Sequence, residues 1–256
     1  MSQDRPGQEA RFPALRVIRV ARTRSTQDVV LRAARDGANE GYTCLATEQT
    51  AGRGRQGRQW VAPAGSALLA SVLVRRSPAV AGGVPFAAGL ALVDALATGQ
   101  GLAAGLKWPN DVLVDGRKLA GILCEVEPAA GVDHRIALAL GLGVNLRVES
   151  FDDGVQGVSL HTLVATPPGA EELLMGWGGA LTNRLAMLEQ GGIGTLLTDW
   201  RRHAVGLGGP VTVQTPVGMI RGVAVDVDDD GALLVEASGQ MHRFLAGDVH
   251  LGRSDG

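Results

Sequence analysis

YTCLATE (residues 42–48), QTAGRGRQGRQW (49–60) and SALLASVLVR (66–75) follow one another as strand, loop and strand. The first and third are apolar runs of the length and composition of buried sheet strands. Between them, residues 52–58 (GRGRQGR) are glycine and arginine but for Gln56. The glycines let the backbone turn tightly and direct its N–H groups toward a ligand. Arg53, Arg55 and Arg58 supply charged donors that suit phosphate and carboxylate. No G-K-[ST] follows, so this is not a Walker loop. The glycine spacing is not that of a dinucleotide fingerprint, and no helix follows. Read alone, the loop also fits an RNA-binding Arg–Gly segment or a purely structural connection. Trp60, just beyond it, is either core or an aromatic lid on a flat ligand.

Upstream, LRVIRV (15–20) alternates as a strand, and Ser25 opens a helix. Ser25 with Asp28 three residues on is a capping-box pattern, and Gly37 ends the helix. Downstream, a helix runs over 84–98. KWPND (107–111) leads into a short strand, and Asp-Gly at 115–116 turns it into RKLAGILCEVE. HRIALALGLGVNL (134–146) is a further buried strand. A polar loop spans 147–158, then SLHTLVA, 170–190 and 193–204 read as helices. From Gly208 the texture changes to short strands, PVTVQTP, MIRGVAVDV, ALLVEA and MHRFLA. The fold class is α+β: a mixed sheet with helices over residues 1–206, then a small C-terminal β-barrel over 207–256, with GLGG (206–209) as a hinge.

Composition excludes several functions. Hydrophobic residues make up 45% and charged residues 20%, and the net charge is −2. That balance provides no global basic field for nucleic acid or an anionic membrane surface. No apolar run approaches the ~18 residues of a membrane span. The opening MSQDRPGQEARFP has no leader-like apolar core, so the expected location is the cytoplasm. Cys44 and Cys124 sit in apolar strands and read as free thiols in a reducing compartment. Five scattered histidines show no zinc-ligand spacing. Of 24 basic residues only Lys107 and Lys118 are lysines, and both fall in one short stretch. Lysine is a compact point charge where arginine is a planar fork.

KWPND holds Lys107, Asn110 and Asp111 in a fixed pose, because proline favours an extended backbone at Trp108. RKLAGIL (117–123) places Lys118 at the mouth of an apolar strand. GLGVN (141–145) ends another with two glycines and Asn145, and strand glycines mark close approach of a ligand or another backbone. These elements suit a ligand with an apolar body, a carboxylate and an attached phosphate. The sequence presents no nucleophile triad and no metal cluster. Positioning and charge stabilisation therefore fit better than covalent catalysis.

Taken in order, S-T-Q (25–27), Q-T-A-G-R-G-R-Q-G-R-Q-W (49–60), K-W-P-N-D (107–111), K-L-A-G-I-L (118–123) and G-L-G-V-N (141–145) resemble the biotin–protein ligases. The resemblance is strong over residues 15–160, and the terminal strands match in character rather than motif. It implies a class II synthetase-like catalytic domain and an SH3-like terminal barrel. It implies that biotin and ATP form biotinyl-5'-AMP, and that biotin then passes to a lysine of a biotin carboxyl carrier protein domain of acetyl-CoA carboxylase or a related carboxylase. Ser25, Thr26, Gln27 and Gln49 would meet the ureido ring. Gly52, Arg53, Arg55 and Arg58 would clamp the biotin carboxylate and the ATP phosphates, with Trp60 covering the biotin. Lys118, with Arg53 and Arg55, would carry catalysis at the carboxylate and α-phosphate. Lys107 and Asn110 would serve the phosphates and Asp111 a Mg2+ ion. Gly121, Gly141, Gly143 and Asn145 would line the floor beneath biotin and adenylate.

Some relatives carry an N-terminal helix-turn-helix domain. About fourteen residues precede the first strand here, too few for one, so no nucleic-acid partner is expected. In relatives the segment at 147–158 orders over adenine; here Val155 and Val158 stand where some use an aromatic residue. A homodimer is expected, its seam at the strand edges flanking 134–146. Lipoate–protein ligases share the architecture, but their Arg/Gly loop and lysine motif differ from those quoted above.

Overall fold

β1 (Arg16–Thr23) and β2 (Tyr42–Gln49) run parallel because α1 (Thr26–Arg35) carries the chain back between them. This computed structural model describes residues 12–151, 154–215 and 218–252. Most of the segment on which the leader expectation rests, residues 1–11, lies outside the described residues. Ser25 caps α1 as its sequence predicts: the residue is extended (φ −154°), and its Oγ accepts from the Gln27 backbone N–H at 3.3 Å. The Asp28 carboxylate, expected to close a capping box, accepts from Arg53 Nη1 at 2.7 Å. α1 buries Thr26, Val30 and Ala34 at successive turns, together with Gln27.

The main sheet continues antiparallel with β3 (Ala67–Arg76), β7 (Arg135–Asn145), β6 (Arg117–Val132), β5 (Asp111–Val114) and β4 (Gly105–Lys107). Its order is β1-β2-β3-β7-β6-β5-β4. β7 is therefore an interior strand, paired on both sides. Its own two edges are taken by β3 and β6, so 134–146 itself offers no free edge to a partner chain.

Strand alternation divides the sheet into two faces. On β3, Leu68, Ala70, Val72 and Val74 join the principal core, packed on α3 (Val84–Gln100) and α4 (Ala170–Gly191). Leu73 instead faces α1 with Val30 and Ala34. β7 divides in the same way. Leu138, Leu140, Leu142 and Val144 enter the core, while the opposite face steps from Ala137 and Ala139 to Gly141 and Gly143. Side chains shrink to nothing along that face, and a cavity opens where they vanish.

α2 (Pro78–Ala81) is a single turn that its sequence did not suggest. SLHTLVA, expected as a helix, makes only a 3-10 turn over Leu160–Thr162. Seven residues ahead of Thr-Pro-Pro (166–168) are too few to sustain an α-helix, and Ser159 Oγ is drawn off to the Val148 carbonyl at 2.8 Å. After α5 (Gly194–His203) the chain turns through Gly206 (φ 97°) and Gly208 (φ 76°). It then enters β8 (Pro210–Thr215), β9 (Gly218–Val227), β10 (Leu233–Ala237), β11 (Gln240–Phe244) and β12 (Asp248–Leu251). β12 was not expected. The five strands form one antiparallel sheet, β11-β10-β9-β8-β12, with β11 and β12 as unjoined ends. The result is barrel-like, with no pairing between β11 and β12 among the described residues.

This sheet does not swing free. Val211, Val213, Val227 and Leu233 share one core with α3 and α4. Trp108, beside a cis bond to Pro109, donates its Nε1–H to the Gly231 carbonyl at 3.0 Å. No helix among the described residues is long and apolar enough to cross a membrane.

Candidate active site

The glycine face of β7 opens a cavity of about 340 Å³ between the first turn of α1, the 52–60 loop and the mouth of β6. Its walls include Ser25, Thr26, Gln27 and Gln49 at one end, and Arg53, Arg55, Arg58, Asp111 and Lys118 at the other. Trp60, Asn110, Gly121, Gly141, Gly143 and Asn145 complete the expected set. Two expected residues, Gly52 and Lys107, are not on the wall.

The inner end is neutral and hydrogen-bonded. Gln49 Oε1 accepts from Thr26 N at 2.7 Å and from Thr26 Oγ1 at 3.1 Å. Thr26 Oγ1 also lies 2.8 Å from Ser71 Oγ, a buried hydroxyl projecting from β3. Gln27 donates its Nε2–H to the Leu123 carbonyl at 3.0 Å. Its Oε1 is buried and receives no donor, and the buried Trp60 Nε1–H finds no acceptor. Each unpaired buried group costs ~1–3 kcal/mol, so this end is built to be completed by something else.

The glycines make room. A Cβ at Gly141 would lie 3.0 Å from Gln27 Nε2. At Gly143 it would stand 2.6 Å from Trp60 Cε2, and at its register neighbour Gly121 3.0 Å from Trp60 Cζ3. The strand glycines thus admit the Trp60 indole and the Gln27 amide, and the indole, not bare backbone, covers the floor. Gly52 has a separate duty. A Cβ there would strike the Trp60 carbonyl at 2.4 Å, and its own carbonyl accepts from Trp60 N at 3.0 Å, zipping the base of the loop.

The outer end is charged. Lys118 Nζ lies 2.6 Å from Asp111 Oδ1 and 5.7 Å from the centre of the Trp60 ring, a cation–π approach. Lys107 Nζ lies 3.7 Å from Asp111 Oδ2. The only two lysines therefore share one carboxylate. Burial pulls the Lys107 ammonium below its usual value, against the opposing pull of Asp111. Arg55 is half-buried and has no hydrogen bond or ion pair among the described residues; burial draws it below the usual guanidinium range. Arg53 makes a fork onto Glu125 (3.1 and 2.7 Å) and also binds Asp28. Arg58 pairs with Asp248 of β12.

The two amides expected to touch nucleotide are tied into the scaffold. Asn110 Nδ2 donates to the Ile122 carbonyl at 2.9 Å. Asn145 Nδ2 donates to the carbonyls of Lys118 and Val158, each at 3.2 Å. Val158 is buried in the core rather than facing the cavity. The aromatic residue of this loop is Phe151, which lines the cavity beside Val155. Gly157 admits its ring, since a Cβ there would lie 2.3 Å from Phe151 Cδ1. The expectation that valines replace the aromatic is corrected accordingly; residues 152 and 153 of the loop lie outside the described residues.

Four residues of the site escaped sequence reading. Ser71 carried a usable signal: it is a lone hydroxyl in a strand otherwise apolar up to Val74. Phe151 is the single aromatic in its loop. Glu125 and Asp248 gave no local signal.

A cavity with a neutral hydrogen-bonding end, an aromatic floor and a cationic rim is that of an enzyme activating a carboxylic acid with a nucleotide. Residues 20–145 match the model of the biotin/lipoate A/B protein ligase family, and residues 206–252 that of the biotin protein ligase C-terminal domain. The chain is 37% identical over 247 residues to the biotin–[acetyl-CoA-carboxylase] ligase of Paracoccus denitrificans, covering 91% of this chain and 99% of that one. It is 37% identical over 238 residues to the enzyme of the same name from Mycobacterium tuberculosis, covering 90% and 86%. The biotin protein ligase of Aquifex aeolicus in complex with biotin and ATP shares its fold, with a TM-score of 0.77 at 23% identity over 93% of this chain and 99% of that one. The chain belongs to the biotin protein ligase family and is a ligase.

Proposed function

We propose that this protein activates biotin with ATP to biotinyl-5'-AMP and transfers biotin to a lysine of a biotin carboxyl carrier protein domain, in the cytoplasm. Residues 1–206 form the catalytic domain in this reading and 207–256 the terminal domain. The observation that carries it is the polarity of the cavity. Thr26, Gln27, Gln49 and Ser71 present neutral donors and acceptors to a ureido head. Trp60 lies along an apolar body, and Arg55 and Lys118 await a carboxylate and a phosphate.

In the first step a biotin carboxylate oxygen attacks the α-phosphorus of ATP, and the bond to pyrophosphate breaks. Lys118, at the junction of the aromatic floor and the charged rim, stabilises the charge that builds on the phosphorus oxygens. In the second step the acceptor amine attacks the acyl carbon. The C–O bond to AMP breaks, and the amine's proton passes to solvent. Trp60 and Phe151 keep water from the anhydride between the steps.

Magnesium was expected at Asp111. Mg2+ is held by one or two carboxylates plus substrate phosphates. Asp111 is a single carboxylate bound to two ammonium groups, and the described residues contain no cluster of metal-ligating side chains. The protein alone does not fit as a magnesium site, and no step is routed through one.

The experiment is calorimetric titration with biotin, alone and then with ATP and Mg2+, together with an assay of pyrophosphate release. Biotin binding followed by biotin-dependent pyrophosphate release supports the reading. No affinity for biotin overturns it, and lipoate is the next ligand to test.

A further inference from the structure

β6 does not alternate cleanly at its mouth. Across β5, Val112 stands opposite Ala120 but Leu113 stands opposite Lys118, so Leu119 is an extra residue and forms a β-bulge. By alternation Lys118 would share a face with Ala120 and Ile122, which point into the principal core. The bulge absorbs one step of the pleat. Leu119 and Ala120, consecutive in the chain, both enter the core, and Lys118 turns to the opposite face, onto the cavity wall with Gly121.

A bulge disrupts the ladder and leaves backbone groups in need of other partners. On the far side of β6 the neighbouring strand also gives out here. Ala120 pairs with Val144, but just beyond, Leu146 N and Arg147 N donate away to the Ser66 carbonyl at 3.0 and 2.7 Å. A returning limb of the chain takes the vacated place. Lys118 N donates to the Gln156 carbonyl at 2.7 Å, and Val158 N donates to the Lys118 carbonyl at 2.9 Å. Lys118 and Gly157 thereby form a parallel bridge.

Asn145 closes the join. It is the last residue of β7, it is buried, and its Nδ2 donates to the Lys118 and Val158 carbonyls at 3.2 Å each. The two N–H bonds of the amide are thus spent on backbone, one on the bulged strand and one on the limb. The side chain that leaves this fixed backbone reaches Asp111 and the face of Trp60. A lysine side chain is a long lever, so a small rotation of its peptide becomes a large displacement of its ammonium.

We propose that Asn145 is a positioning residue that acts through Lys118: its amide locks the Leu119 bulge to the limb Gln156–Val158, and the locked bulge aims the lysine into the cavity. The consequence for activity rests on the biotin–ATP reading; the lock itself does not.

The lock is tested without ligand. Lys107 and Lys118 are the only lysines, so isotope labelling of lysine nitrogen gives two backbone amide signals. In Asn145→Ala the Lys118 amide should exchange with solvent about tenfold faster than in wild type, and that of Lys107 should stay within about twofold. An unchanged Lys118 amide overturns the lock.

The route through Lys118 is tested by a double-mutant cycle. Asn145→Ala is expected to lower kcat for biotin-dependent pyrophosphate release about tenfold, with the KM for ATP changed less than about threefold. In a Lys118→Ala background the same change should cost less than about twofold, because the group it positions is gone. A tenfold loss in both backgrounds shows that Asn145 acts on the nucleotide directly and overturns the proposal. If Asn145→Ala fails to fold, Asn145→Ser, which can donate to only one of the two carbonyls, carries both measurements with the same outcomes. Wild-type protein that releases no pyrophosphate with biotin and ATP marks failure of the biotin–ATP reading instead, and the Lys118 amide still judges the lock.

Discussion

At the inner end of the cavity, Thr26, Gln27, Gln49 and Ser71 are neutral, three of the four buried, and joined by hydrogen bonds to one another or to a strand carbonyl. At the rim, Arg53, Arg55, Arg58, Lys118 and Asp111 are charged and partly exposed, and all but Arg55 are held in ion pairs. The difference separates two ways of holding a ligand. The inner end selects by geometry, because a group that fails to satisfy Gln27 Oε1 leaves that buried atom unpaired. The rim holds by charge, which tolerates motion but weakens with salt. In the proposed reading, a molecule with a cyclic urea at one end and a carboxylate at the other spans both, with the chemistry at the charged end.

The comparison is tested most severely at Lys118. Lys118→Ala should reduce biotin-dependent pyrophosphate release by about a hundredfold to a thousandfold, the scale of losing one aimed charge stabiliser. Biotin affinity without ATP should move less than about threefold. Single-turnover release and calorimetry measure the two. A parallel loss of both would show that the rim and the inner end are one energetic unit.

Next in size is Gly143→Ala. The added Cβ would lie 2.6 Å from Trp60 Cε2, and a rigid indole walled by two strands cannot yield cheaply. Overpacking of this kind costs ~1–3 kcal/mol. Biotin affinity should fall about tenfold or more, with a drop in the thermal midpoint no larger than that cost accounts for, since Trp60 both floors the cavity and packs on β6 and β7. Calorimetry and a melting curve distinguish this from general destabilisation.

The inner end of the site was far more legible than the rim. Ser25 announced its helix, and the first turn of that helix delivers Thr26 and Gln27. The glycines of GLGVN announced a close approach, although the approaching group proved to be Trp60. Each of these signals is local, a matter of a cap or a strand period. The rim depends on pairings that sequence distance conceals. Arg53 finds Glu125 72 residues away, and Arg58 finds Asp248 190 residues away in another sheet. A motif of three identical arginines therefore gave no sign that the three have different partners. SLHTLVA misled for another reason. Its helical composition was outweighed by its length and by the hydrogen bond that Ser159 makes to the Val148 carbonyl.

Thr26→Val sharpens the account of the inner end at smaller scale. The change keeps the shape but removes the hydroxyl that joins Gln49 to Ser71, leaving the buried Ser71 Oγ without that partner. A loss of ~1–2 kcal/mol in biotin binding is expected, about tenfold in affinity. Adenylate formation at saturating biotin should be nearly unchanged, because the rim is intact. A fall in the saturated rate would mean that the inner end also aligns the carboxylate.

The smallest effect concerns two thiols outside the chemistry. Burial pushes Cys44 up to about 11 and Cys124 up to about 12 from an ordinary 9.0. Both thiols therefore stay protonated in the folded chain at pH values where the unfolded chain ionises. The folded pKa lies above the unfolded one, so this contribution is fully present below pH 9 and declines as pH rises toward the folded values. At pH 10 the decline amounts to ~1 kcal/mol per thiol. Urea denaturation at pH 8 and pH 10, wild type against C44S/C124S, isolates it: the wild type should lose more stability between the two pH values than the serine variant. Equal losses would show that β2 and β6 admit water to their thiols, Cys44 on the α1-facing side of the sheet and Cys124 on the side of the principal core.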